Sequence, residues 1–109
     1  MGIYQIALLL VASVCKLSRI VQRHDPDLAR QMRRSVTSVP LNIQEGMYSR
    51  AGNRIARYDN AMASAKETMA ALQVSVAADY LTQAAIDVDL DRIDHIVAVL
   101  WKWSGQRAR

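Results

Sequence analysis

A chain of 109 residues with a formal net charge of +4 has room for one domain with a modest core. Its 51% hydrophobic content, with no phenylalanine, four glycines and two prolines, argues against an all-β fold and for helices. A lone cysteine, Cys15, excludes an internal disulfide; inside an apolar run it reads as a buried, inert thiol of a cytoplasmic protein.

The first predicted helix covers about residues 3–24. Ile3, Ile6, Leu10, Leu17 and Val21 share one face, while Leu8, Leu9 and Val11 add apolar surface on other sides, more than one bundle can bury. Its run IALLLVASVC, Ile6 to Cys15, is about ten residues, short of the roughly 20 that a membrane span needs. No Lys or Arg precedes it as in a signal peptide, so neither export nor a membrane partner is expected.

Asp25-Pro26-Asp27 reads as a helix start: a capping carboxylate, proline at the first helical position and a second acid near the positive end of the dipole. The second helix, about 27–47, carries the stripe Leu28, Met32, Val36, Val39, Ile43 and Met47, whose spacing of three or four continues through Pro40. An interior proline costs about 3 kcal/mol, because it removes a donor and crowds the carbonyl four residues back. The pattern therefore predicts a bent helix that does not end there. Beside the stripe runs a polar line, Ser35, Ser38, Asn42 and Glu45. It supports the bend locally, or it forms a seam between subunits.

After a short link, Asn53 is a candidate cap for a third helix, about 53–80, with a heptad seam of Ile55, Tyr58, Met62, Ala65, Met69, Leu72 and Val76. Asp87, Asp89 and Asp91 crowd the expected start of a fourth, about 86–104, where the dipole favours them and solvent keeps them hydrated; its stripe is Ile86, Leu90, Ile93, Val97 and Leu100. Four helices with short links predict a single all-α domain, residues 1–109, an antiparallel up-down-up-down four-helix bundle.

The second and third helices carry an arginine pair, Arg33 and Arg34, then small residues, Pro40, the run Asn42-Ile43-Gln44-Glu45-Gly46, and Ala61, Ser64 and Glu67 at spacings of three. In these residues the chain resembles the four-helix bundle proteins encoded by intervening sequences in bacterial 23S rRNA genes, a family related to the accessory variability determinant proteins of diversity-generating retroelements. The resemblance implies a homopentameric barrel that binds nucleic acid and, in the retroelement branch, a reverse transcriptase as partner. Met47 and Tyr48 stand where the family has a basic, glycine-bearing link, and Ala63 replaces a glycine of its third helix.

No constellation for catalysis is legible. His24 and His95 lie far apart and away from Cys15, the glycines are too scattered for a phosphate loop, and neither a metal nor a cofactor is called for, so the chain is not expected to be an enzyme. Charge is more informative. Residues 16–57 hold nine Lys and Arg against three Asp and Glu, residues 58–94 hold two against seven, and residues 95–109 hold three against none. In an antiparallel bundle the link between the second and third helices shares an end with both termini. Arg50, Arg54 and Arg57 would there meet Lys102, Arg107 and Arg109 in a basic pole, with Tyr48, Trp101 and Trp103 nearby. At the other end Lys16, Arg19, Arg23, Arg30, Arg33 and Arg34 would be largely neutralised by Asp79, Asp87, Asp89, Asp91 and Asp94.

Eleven of the fourteen basic residues are arginine, which grips phosphate bidentately and stacks on bases. The pole, together with Arg33 and Arg34, is the candidate surface for RNA or DNA, bound through phosphates. Leu8, Leu9, Val11, Ser35, Ser38, Asn42 and Glu45 are the candidate interface of a homo-oligomer. Two functions fit: a nucleic-acid-binding accessory protein, or a structural oligomer and interaction scaffold without nucleic acid.

Overall fold

The computed structural model describes residues 1–105, which form four helices: α1 (Ile3–Gln22), α2 (Pro26–Met47), α3 (Ala51–Ala77) and α4 (Gln83–Trp103). Links of three to five residues force each helix to turn back on the last. α1 packs on α2 and α4, and α3 packs on the same two, an up-down-up-down square 42 Å long. The first turn of α2 forms as its sequence dictates: Asp25 accepts the Leu28 amide at 3.0 Å and Pro26 opens the helix.

The α1 heptad Ile3, Ala7, Leu10, Val14 and Val21 is buried against Met32, Val36, Val39 and Ile43 of α2, Leu72 of α3, and Ile86, Ile93, Ile96 and Leu100 of α4. Ile6 and Leu17, expected inside, flank this core, and Cys15 is only half-buried. As formed, α1 is long and apolar enough to cross a membrane, unlike the ten-residue run considered alone, but its Leu10 and Val14 face is the bundle's inner wall.

Several sequence expectations are corrected. α3 begins at Ala51 without a side-chain cap, and the Asn53 amide donates instead to Ser49 Oγ at 2.8 Å. Thr82 caps α4 through the Ala85 amide, so the aspartates lie beyond its first turn. Asp89 is not a solvated residue at a helix start. It is 1% exposed, accepts the Ser13 hydroxyl at 2.6 Å and pairs with Arg92 at 2.8 Å, tying α4 to α1. Among the described residues no buried side-chain nitrogen or oxygen lacks a partner.

Truncation of Asp89 strands two donors that it now satisfies. Asp89→Ala should lower stability by about 2–3 kcal/mol, with Arg92 partly recovered by water. Asp89→Asn, which can still accept from Ser13, should cost less. Urea unfolding at one protein concentration orders the three proteins; equal midpoints would show that the pair contributes nothing.

The polar line of α2 is the largest departure. α2 runs unbroken through Pro40, which is buried, but the donors of the line go to the carbonyls of Met32 and Ser38 and not to that of Val36, whose partner the proline removes. The line faces α3. Ser35 is 4% exposed and lies 2.9 Å from Thr68 Oγ1; Ser38 accepts the Ser64 hydroxyl at 2.8 Å and the Asn42 amide at 2.9 Å; Glu45 pairs with Arg57 at 3.1 Å. Ser35 and Ser38 therefore line a seam within the subunit, where short hydroxyl side chains let α2 and α3 approach, and Ser35 has no surface left to offer a second copy.

Candidate nucleic-acid interface

At one end of the bundle the start of α1, the α2–α3 link and the end of α4 come together: Ile3, Gln44, Met47 and Trp103 line one hollow of about 240 Å3. The link is Tyr48, Ser49 and Arg50, too short to wander, and it is braced from both sides. The Ser49 hydroxyl donates to the Glu45 carbonyl at 2.7 Å and accepts from Asn53, while Arg54 Nε donates to the Ser49 carbonyl at 3.0 Å. Ala51 turns into α3 with φ at +38°, a conformation that non-glycine residues seldom adopt.

Arg50 and Arg54 are exposed, and no acid occupies the first turn of α3. Positive side chains thus gather at the positive end of a helix dipole, an arrangement that is locally unfavourable and that an anion would relieve. Arg57 differs, because Glu45 already engages it, although both side chains keep a third or more of their surface in water. Lys102 is exposed near the same end and lines a groove between α3 and α4. Arg107 and Arg109 lie outside the described residues. Arg33 and Arg34 are not brought to this pole: they sit about 20 Å along α2 from Gly46. There Arg33 donates to Gln22 Oε1 at 3.2 Å, and Arg34 borders a polar hollow over the Ser35 and Ser38 seam.

The far end is less neutral than its composition suggests. Arg30 pairs with Asp27 at 2.9 Å and Asp87 accepts from Gln83 at 2.9 Å, yet Lys16, Arg19, Arg23, Asp91 and Asp94 form no ion pair among the described residues. His24 stacks on Tyr80 at 4.9 Å across that end. No three His, Cys, Asp or Glu side chains gather among the described residues as a metal site would need.

Sequence reasoning missed the aromatic floor of the pole. Tyr58 is 5% exposed and packs on Trp103, with ring centroids 5.6 Å apart. The ring lies so close to α2 that a Cβ at Gly46 would overlap it. The Glu45-Gly46 pair therefore has a geometric reason, which the spacing of Gly46 and Tyr58 alone could not reveal. Gly46→Ala gains about 1 kcal/mol of helix propensity but must displace a buried ring held by an indole, an overpacking cost of about 1–3 kcal/mol. Net destabilisation, with Trp103 emission altered, is the expected result of thermal unfolding followed by fluorescence; a higher melting temperature would show that the ring moves freely.

A family model described as 23S rRNA-intervening sequence protein matches residues 1–102. Among solved structures, a protein of unknown function from the S23 ribosomal protein family of Bacteroides thetaiotaomicron VPI-5482 superposes with a TM-score of 0.84. The match covers 94% of this chain and 98% of that one, at 19% identity, a likeness of fold alone. Comparison with curated proteins found no match.

Proposed function

The chain belongs to the 23S rRNA-intervening sequence protein family, and from that premise we propose that it is a non-enzymatic, cytoplasmic, ring-forming accessory protein that holds RNA or DNA by its phosphates. The observation that carries the reading is the pair Arg50 and Arg54 at the start of α3, which no acid among the described residues neutralises and no side chain caps. No base-reading motif accompanies them, so binding is to backbone and falls with salt.

The ring is supported by what one subunit leaves uncovered. Leu8 and Leu9 are 46% and 44% exposed on α1, and between α3 and α4 lies a groove of about 340 Å3 whose lining includes Met69, Val97, Ala98 and Trp101. The charges complement each other as well. α1 carries Lys16 and Arg19, followed by Arg23, with no acid, while Asp79, Asp87, Asp91 and Asp94 line the far half of the α3–α4 side. With Ser13 opposite Asp89, Leu9 is level with Ile93 and Lys16 with the turn that holds Ile86 and Asp87. A rotation about an axis parallel to the bundle keeps those heights, so α1 of one copy meets the α3–α4 face of the next, head to tail, and closes a ring. We assign it five subunits, with the basic poles on one rim, and extend the reading to a reverse transcriptase as partner, as in the related retroelement proteins.

Light scattering gives the subunit number, and anisotropy of a labelled oligonucleotide titrated with salt gives the affinity and its slope. A salt-dependent complex on a pentamer supports the proposal. An oligomer that binds neither RNA nor DNA at low salt leaves the scaffold reading, in which the arginines are spent on pairs with aspartates of neighbouring subunits. A reverse transcriptase gene beside this one supports that partner; a position inside an rRNA gene removes it.

A further inference from the structure

Beside Arg50 and Arg54 the pole has a notch that phosphate binding does not need. Met47, Arg54, Tyr58 and Trp103 line it, with an open volume of about 400 Å3, within the roughly 300–1,000 Å3 of small-ligand pockets. Its floor is Tyr58, fixed by Gly46 on one side and Trp103 on the other. Trp103 and Met47 keep 45% and 46% of their surface in water, a large apolar exposure for the end of a bundle. The bond from Arg54 Nε to the Ser49 carbonyl anchors that side chain on the link, and its terminal nitrogens make no further bond among the described residues.

We propose that this notch takes one unpaired nucleobase of a single-stranded nucleic acid, stacked on Trp103, while Arg54 and Arg50 hold the adjoining phosphate at the start of α3. The inference rests on the phosphate-binding reading above and adds to it the class of nucleic acid bound. Flat aromatic and thioether surface accepts the face of any base, and the guanidinium supplies both a charge for phosphate and a plane for stacking. Such a site tolerates sequence but not pairing, because a base inside a duplex has both faces covered. A charged surface alone would favour the duplex, whose phosphates are denser.

The test compares three probes of equal length at one salt concentration: single-stranded oligo(dT), an oligomer of abasic deoxyribose phosphate, and duplex DNA. The expected result is that oligo(dT) binds about tenfold or more tighter than the abasic strand, binds tighter than the duplex, and alone quenches tryptophan emission. In Trp103→Leu, which keeps an apolar contact for Tyr58 but removes the flat face, that preference and the quenching should vanish while the abasic affinity stays unchanged. If the variant does not fold, the comparison on the unmodified protein decides. Equal binding of the abasic strand, or tighter binding of the duplex, overturns the notch and leaves phosphate binding standing. Failure of all three probes to bind at low salt overturns both.

Discussion

Leu9→Lys should leave a helical monomer of 12.2 kDa where the proposed ring predicts an oligomer for the unmodified protein. Leu9 is 44% exposed and stands outside the buried heptad of α1, so a lysine there keeps its ammonium in water when the subunit is alone and disturbs no core packing. At a junction between copies it would instead leave water against Met69, Val97, Ala98 and Trp101 of the groove, a cost of several kcal/mol that the exposed carboxylate of Asp94, which lines the same groove, offsets only in part. Each 1.4 kcal/mol weakens a junction tenfold, and every junction of the ring carries the same change. The expected outcome is therefore dissociation at micromolar concentration with the helical circular dichroism retained. A ring that survives would put the interface elsewhere. Loss of helicity would place Leu9 inside the fold.

Arg50→Ala with Arg54→Ala should separate binding from stability. Both side chains are exposed, and both add positive charge where the α3 dipole is already positive, so their removal relieves about 0.3–1 kcal/mol of repulsion for each. Arg54→Ala also forfeits the bond from Nε to the Ser49 carbonyl, about 0.5–1.5 kcal/mol, so the melting temperature should change little. Affinity should nevertheless fall about tenfold or more at low salt. The slope of log affinity against log salt should flatten by about 0.7 for every phosphate of a single strand that the variant no longer neutralises. Arg57 is the poorer choice because Glu45 already holds it. The control is Arg30→Ala with Arg33→Ala at the far end, where Asp27 and Gln22 occupy the guanidiniums. Should that pair prove the more damaging, nucleic acid lies along α2; should neither matter, the arginines serve no nucleic acid.

The four helices, the Asp25-Pro26 start and the passage of α2 through Pro40 were legible because each rests on local chemistry: apolar spacing, a capping side chain, a fixed φ. The start of α3 was not, since its cap is backbone only and the conspicuous Asn53 serves Ser49 instead. Asp89 misled for a related reason. Charge along a sequence shows where acids cluster but not which one rotates inward, and that depended on Ser13 and Arg92 being in reach. The inner face of α3 was half read: Tyr58, Met62, Ala65 and Leu72 are buried as the heptad predicts. The equally buried Ala61, Thr68 and Ser75, spaced by seven, gave no hydrophobic signal. At the candidate site the charges were visible and the notch was not, because it needs Gly46, Tyr58 and Trp103 from three helices.

The seam between α2 and α3 also limits how the protein can move. Helices joined only by aliphatic side chains can slip past one another by a turn, about 5.4 Å, trading one set of methyl neighbours for another, and allosteric interfaces use such one-turn ratchets. Here a slip in either direction would carry Tyr58 off Gly46, setting its ring against Asn42 or beyond the end of α2 at Met47, and it would part Glu45 from Arg57. At most one of the hydroxyl pairs joining Ser35 and Ser38 to Thr68 and Ser64 could form again. The pair is thus indexed like a key in a slot, and the Ser49 link cannot rise or sink against the rest of that end. Motion at that end must tilt α2 and α3 together as one lever.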